Sequence, residues 1–178
     1  MRVTRKQAEL NRLRILESAI RLFAERGVDG VGVAEVMADA GFTHGGFYNH
    51  FTSKEGLVNE ACRTSFARSV ASLRDENRPL DQLRDESFAA CLSAAMLSEA
   101  SKGDNSRLRS VYGTGITEIL DVLTERYGDS EHAAAALSCF VGARVLARAL
   151  QHTERELAEQ FERVLYPQDR QLRLQASS

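Results

Sequence analysis

The chain has 178 residues, 43% of them hydrophobic and 27% charged, with a formal net charge of −2. That length gives one domain or a small module joined to a larger one. The balance excludes a disordered chain, a collagen-like repeat and a small disulfide scaffold. No unbroken apolar run of about 18 residues reads as a membrane span. No apolar stretch follows the basic start as in a secretory leader. The expected compartment is the cytoplasm.

Only two prolines occur, which leaves room for long helices. Apolar residues recur at three and four nearly throughout. In residues 5–26 they are Leu10, Leu13, Leu16, Ala19, Ile20 and Phe23, with Thr4-x-x-Gln7 as a capping box and Gly27 as a stop. Residues 33–40 place Val33, Val36 and Met37 on one face, and Gly41 ends them. Thr43 caps a third short helix through about His50, with Phe47 and Phe51 on the same side. Thr52-x-x-Glu55 opens a long helix to about Asn77, striped by Val58, Cys62, Phe66, Val70 and Leu73 and broken by Arg78-Pro79.

A helix over 81–100 follows, with Phe88, Leu92, Ala95 and Met96 inward, then a loop over 101–105. Helices over 106–127, 131–150 and 154–165 complete the body, and the tail from Pro167 is polar. No segment alternates with period two. The expected fold is therefore all-α: a three-helix head at 1–52, a helical bundle at 53–167 and a tail at 168–178. Cys62, Cys91 and Cys139 have no metal-ligand spacing and are expected as small buried hydrophobes. No metal or cofactor is expected.

Charge is unevenly spread. Residues 1–14 hold Arg2, Arg5, Lys6, Arg12 and Arg14 against Glu9 alone. A basic arm before a mildly acidic body suits a protein that meets DNA with one face. The turn Ala40-Gly41-Phe42 joins two short helices in a helix-turn-helix arrangement, whose second helix enters the major groove. Such a helix needs an apolar anchor and a small or polar open face. Phe42, Phe47 and Phe51 supply the anchor; Thr43, His44, Gly45, Gly46, Tyr48 and Asn49 supply the open face. The paired glycines cost about 1 kcal/mol each relative to Ala in an ordinary helix. They fit a helix that DNA approaches closely, though a loose turn explains them equally well.

Residues 34–57, Ala-Glu-Val-Met-Ala-Asp-Ala-Gly-Phe-Thr-His-Gly-Gly-Phe-Tyr-Asn-His-Phe-Thr-Ser-Lys-Glu-Gly-Leu, closely resemble the DNA-binding head of the TetR (tetracycline-repressor-like) family. The shared pattern is Ala40-Gly41-Phe42-Thr43, Gly45, Tyr48, Phe51, Lys54-Glu55 and Leu57, with Phe23 and Gly27 upstream. The resemblance implies a dimeric, ligand-responsive regulator, most often a repressor, on a palindromic operator. It implies phosphate contacts from Thr43, Tyr48 and Lys54, base-edge contacts from His44, Gly46 and Asn49 beside Gly45, and backbone or minor-groove contacts from Arg2, Arg5 and Lys6. Gly32 stands where the family often has a capping Ser or Thr, so that phosphate contact is absent.

The helix over 131–150 is apolar or small nearly all round, which asks for burial on several sides. Self-association with the next helix is the economical answer: Leu137, Phe140, Val141, Arg144, Val145, Leu157 and Phe161 are the candidate dimer residues, in a four-helix interface of the kind the resemblance also implies. Arg144 and Arg148 read equally as interface ion pairs or a solvated edge. Phe66, Phe88, Met96 and Tyr112 are candidates for an effector cavity, against a plain reading as core. Two other readings are a DNA-binding module without effector and a helical metal enzyme. The latter requires inward Glu-x-x-His pairs, and the sequence contains none.

Overall fold

The computed structural model describes residues 4–75, 95–97, 99–101 and 105–165. Every regular element among them is helical: α1 (Arg5–Arg26), α2 (Val33–Asp39), a 3₁₀ helix η1 (His44–Asn49), α3 (Lys54–Leu73), α4 (Ser106–Tyr127), α5 (Ser130–Leu150) and α6 (Arg155–Leu165). Helical turns also occupy 95–97 and 99–101. The expected breaker at Arg78-Pro79, most of the 81–100 helix with Phe88 and Cys91, and the polar tail lie outside the described residues.

Thr4 caps α1 by accepting from the Gln7 N–H at 3.2 Å, but the Gln7 amide turns forward onto Asn11. Half of the expected capping box forms. Gly27, at φ 77°, ends the helix and returns its N–H to the Phe23 carbonyl. The buried side is Ile15, Leu16, Ala19, Ile20 and Phe23. Leu10 and Leu13, expected in that stripe, are 47% and 52% exposed. The adjacent ring-covering work falls to two arginines: the Arg12 guanidinium lies 4.4 Å from the Phe51 centroid and Arg14 5.1 Å from that of Phe42.

The α2–η1 turn is a Schellman closure. Phe42 N–H donates to the Met37 carbonyl at 2.8 Å and Gly41 N–H to that of Ala38 at 3.0 Å. Gly41 sits at φ 80°, a conformation a side chain would strain. The third element, the expected short helix, is a 3₁₀ helix over His44–Asn49, in keeping with the low helix propensity of Gly45-Gly46.

Ser53, not Thr52, caps α3: its extended backbone lets Oγ accept from the Gly56 N–H at 3.1 Å. One flank of α3 is clamped to α1 by two Arg–Glu forks, Arg12 with Glu60 and Arg68 with Glu17. On the body side, the Phe66 ring fills the space beside Gly115 of α4 so closely that an added Cβ would meet it at 2.2 Å. One hydrophobic core runs from Ile15 and Phe23 through Val58, Cys62, Phe66 and Val70 to Leu108, Ile119 and Leu123.

Asn105 caps α4 through the Leu108 N–H, and left-handed Gly128 closes it. Asp129 then opens α5, accepting from the Glu131 N–H at 2.8 Å. Buried Cys62 agrees with expectation, its thiol pushed up to about 12 by burial. Cys139 does not: it is exposed on α5, because that helix finds cover within one chain for few of its positions.

Candidate nucleic-acid interface

The open side of η1 is built from the inside outward. Phe47 is fully buried and stacks on Phe51 at 5.7 Å, while Tyr48 stands edge-on to Phe47 at 5.3 Å. Gly46 rests against Met37 of α2, 3.5 Å from where its Cβ would be. With that inner row fixed, Thr43, His44, Gly45, Tyr48 and Asn49 are all exposed, Tyr48 by 68%. No neighbour lies within 4 Å of a Cβ added to Gly45. Nothing inside the described residues therefore demands glycine there. An outside surface that approaches closely would.

The flanking groups are placed less simply. Lys54 starts α3, but its ammonium donates to the Val28 carbonyl at 2.8 Å. Arg5 and Lys6 belong to the first turn of α1 and are exposed. Since Thr4 caps the helix ahead of them, they stand on a helix and not on an extended arm; Arg2 lies outside the described residues. Arg12 and Arg14 are committed to Phe51, Glu60 and Phe42. Gly32 caps α2 with no side-chain bond.

In the body, Phe66 and Met96 are buried and Tyr112 is half-buried, its ring edge-on to Phe66 at 5.4 Å. Burial pushes the Tyr112 hydroxyl up to about 12. Phe88 lies outside the described residues. Asn59, seven residues before Phe66 on the same side of α3, is buried with its Oδ1 unpartnered among the described residues. Of the candidate dimer residues, Val145 and Leu157 are exposed, and Leu137, Phe140, Val141, Arg144 and Phe161 are half-buried. By length and composition α5 could cross a membrane. Its Arg148, left undecided between ion pair and solvated edge, instead donates to the Ala24 carbonyl of α1 at 2.9 Å. No local pattern signals a contact across that sequence distance.

Geometry and surface define a helix-turn-helix head carried on an all-helical body. Residues 15–61 match the model of the bacterial regulatory proteins of the tetR family. The repressor KstR2 of Rhodococcus jostii is 35% identical over 86 residues, covering 44% of this chain and 42% of that protein. The chain's matches span less than half the length of the curated relatives. Among solved structures, reduced E. coli NemR superimposes with a TM-score of 0.65 at 19% identity, covering 87% of this chain and 93% of that one. The multidrug binding protein EbrR in complex with proflavin gives 0.52 at 24%, covering 86% and 99%. Residues 15–61 thus carry the head of the bacterial regulatory proteins of the tetR family, and the described body shares the all-helical fold of the solved structures it resembles.

Proposed function

We propose that this protein is a homodimeric repressor that binds a palindromic DNA operator in the cytoplasm and releases it when a small hydrophobic effector enters the body. The observation that carries this is the exposed row Thr43, His44, Tyr48 and Asn49 over a fully buried Phe47. Thr43, Tyr48 and Lys54 position the head on phosphates; His44 and Asn49 face base edges beside the open Gly45, while Gly46, packed against Met37, does not. Lys54 reaches phosphate by leaving the Val28 carbonyl, an exchange of a neutral acceptor for a charged one.

The dimer forms through α5 and α6, whose exposed Val145, Leu146 and Leu157 give a second copy an apolar surface to cover. The effector site lies on the body side of α3, among Phe66, Met96 and Tyr112; Phe88, the fourth candidate from the sequence, lies outside the described residues. The same fold holds proflavin in EbrR, and unpartnered Asn59 offers such a guest an acceptor. α3 joins the two functions, with Lys54 at its head end and Phe66 at its middle. A guest that displaces Phe66 tilts α3 and changes the spacing of the two heads. Linkage requires effector and DNA to weaken each other equally, typically about 5–150-fold. The test is selection of duplexes from a random pool by the purified protein. A twofold-symmetric site with half-sites about 34–36 Å apart, or two such overlapping sites, is expected. A pool in which no sequence is enriched contradicts the proposal.

A further inference from the structure

The C-terminal turn of α1 is where the head meets a second body helix besides α3. Arg148, in the last turn of α5, extends its guanidinium to the Ala24 carbonyl, 2.9 Å away and partly buried. Ala24 lies in the last turn of α1, where carbonyls lack intrahelical donors and the helix end attracts cations. Gly27 helps to shape the seat: a Cβ there would stand 3.6 Å from the other Nη of Arg148. Four residues past Ala24, the Val28 carbonyl accepts from Lys54. One short stretch, 24–28, thus carries the body's arginine at one end and the lysine facing the DNA side at the other. Arg126 repeats the device, donating from α4 to the Leu73 carbonyl at the end of α3 at 3.0 Å.

From this we infer that Arg148 is a positioning residue for DNA reading: it latches the head to the helix of the dimer interface and so fixes how the two heads face each other. A head held by α3 alone can swing about that helix. A second attachment on another helix removes that freedom. Arg148 touches no DNA in this scheme and acts through the backbone of α1. The inference rests on the dimeric DNA-binding role proposed above.

The experiment uses the full chain and two probes: the duplex selected by the wild-type protein, and the same duplex with one half scrambled. Arg148→Ala should lose about tenfold or more in affinity for the intact duplex and almost nothing for the half-scrambled one. Sedimentation should show an unchanged dimer. Arg148→Lys keeps a donor of similar reach and should restore most of the loss. Equal weakening on both duplexes means that Arg148 only supports the folded head, and it overturns the inference. So does wild-type affinity of Arg148→Ala for the intact duplex. If the wild-type protein selects no duplex or sediments as a monomer, the proposed function fails first, and the latch falls with it.

Discussion

Helices α1 and α5 are nearly equal in length, 22 and 21 residues, yet they use their surfaces in opposite ways. α1 buries Ile15, Leu16, Ala19, Ile20, Leu22 and Phe23 within its own chain and leaves Leu10 and Leu13 as its exposed large apolar residues. α5 is the more apolar helix but buries only Ala133, Ala143 and Ala147, leaving Val145 and Leu146 exposed. The head shares one continuous core with α3 and α4 and has a polar outer row left for another molecule. Among the described residues of the body, α5 and α6 leave Val145, Leu146 and Leu157 exposed. A polar row over a rigid aromatic anchor suits a nucleic acid; a long apolar face suits a copy of itself.

Substitutions separate the two regions, and the largest effect is expected in the head. Phe47→Ala removes a fully buried ring between Phe51 and Tyr48. It should cost about 3–5 kcal/mol in denaturant unfolding and abolish DNA binding. Phe161→Glu should act on association instead: a carboxylate buried without a partner is costly, so the variant should elute as a folded monomer at micromolar concentration. A variant that stays dimeric places the interface elsewhere. Gly115→Ala drives a methyl into the Phe66 ring and should lose about 1–3 kcal/mol in thermal unfolding. An unchanged melting temperature would show that Phe66 moves freely, which the effector site also requires knowing.

Smaller effects sharpen the contrast. Tyr48→Ala and Lys54→Ala should leave stability within about 0.5 kcal/mol while weakening DNA binding evenly across sequences, and Lys54→Ala should lower the salt slope by about one. Fluorescence anisotropy at several salt concentrations checks both. The smallest effect concerns the α1–α3 clamp. The Arg68 fork holds the Glu17 carboxyl below its usual range. Its contribution is therefore present above the unfolded carboxylate pKa of about 4.3 and is lost as pH falls through the lower folded value. Because the pair is half exposed, Glu17→Gln should cost under about 1 kcal/mol at pH 7, with the difference from wild type vanishing in acid.

The head was legible in the sequence because its signals are local. Gly41 and Gly27 have to occupy positive φ, Phe47 and Phe51 have to face inward, and the periodicity of residues 15–23 puts the core where it is found. What stayed hidden was set by partners far along the chain. Arg12 pairs with Glu60, Glu17 with Arg68 and Arg148 with Ala24, and no spacing within one helix announces such pairs. Leu10 and Leu13 continue the α1 period but run past the elements that cover Ile15. Ser53 took the cap from Thr52 because backbone conformation, not residue type, decides between two adjacent hydroxyls. In the body, periodicity gave the bounds of α4, α5 and α6 closely, but which faces meet the same chain and which meet another is not a local property.

The division of labour between a polar head surface for DNA and an apolar α5–α6 face for a second copy is tested most directly by sedimentation velocity at micromolar protein, with and without the selected duplex. A dimer alone, and one or two dimers on each duplex, is the predicted result. A monomer, or a single chain bound per duplex, would contradict it.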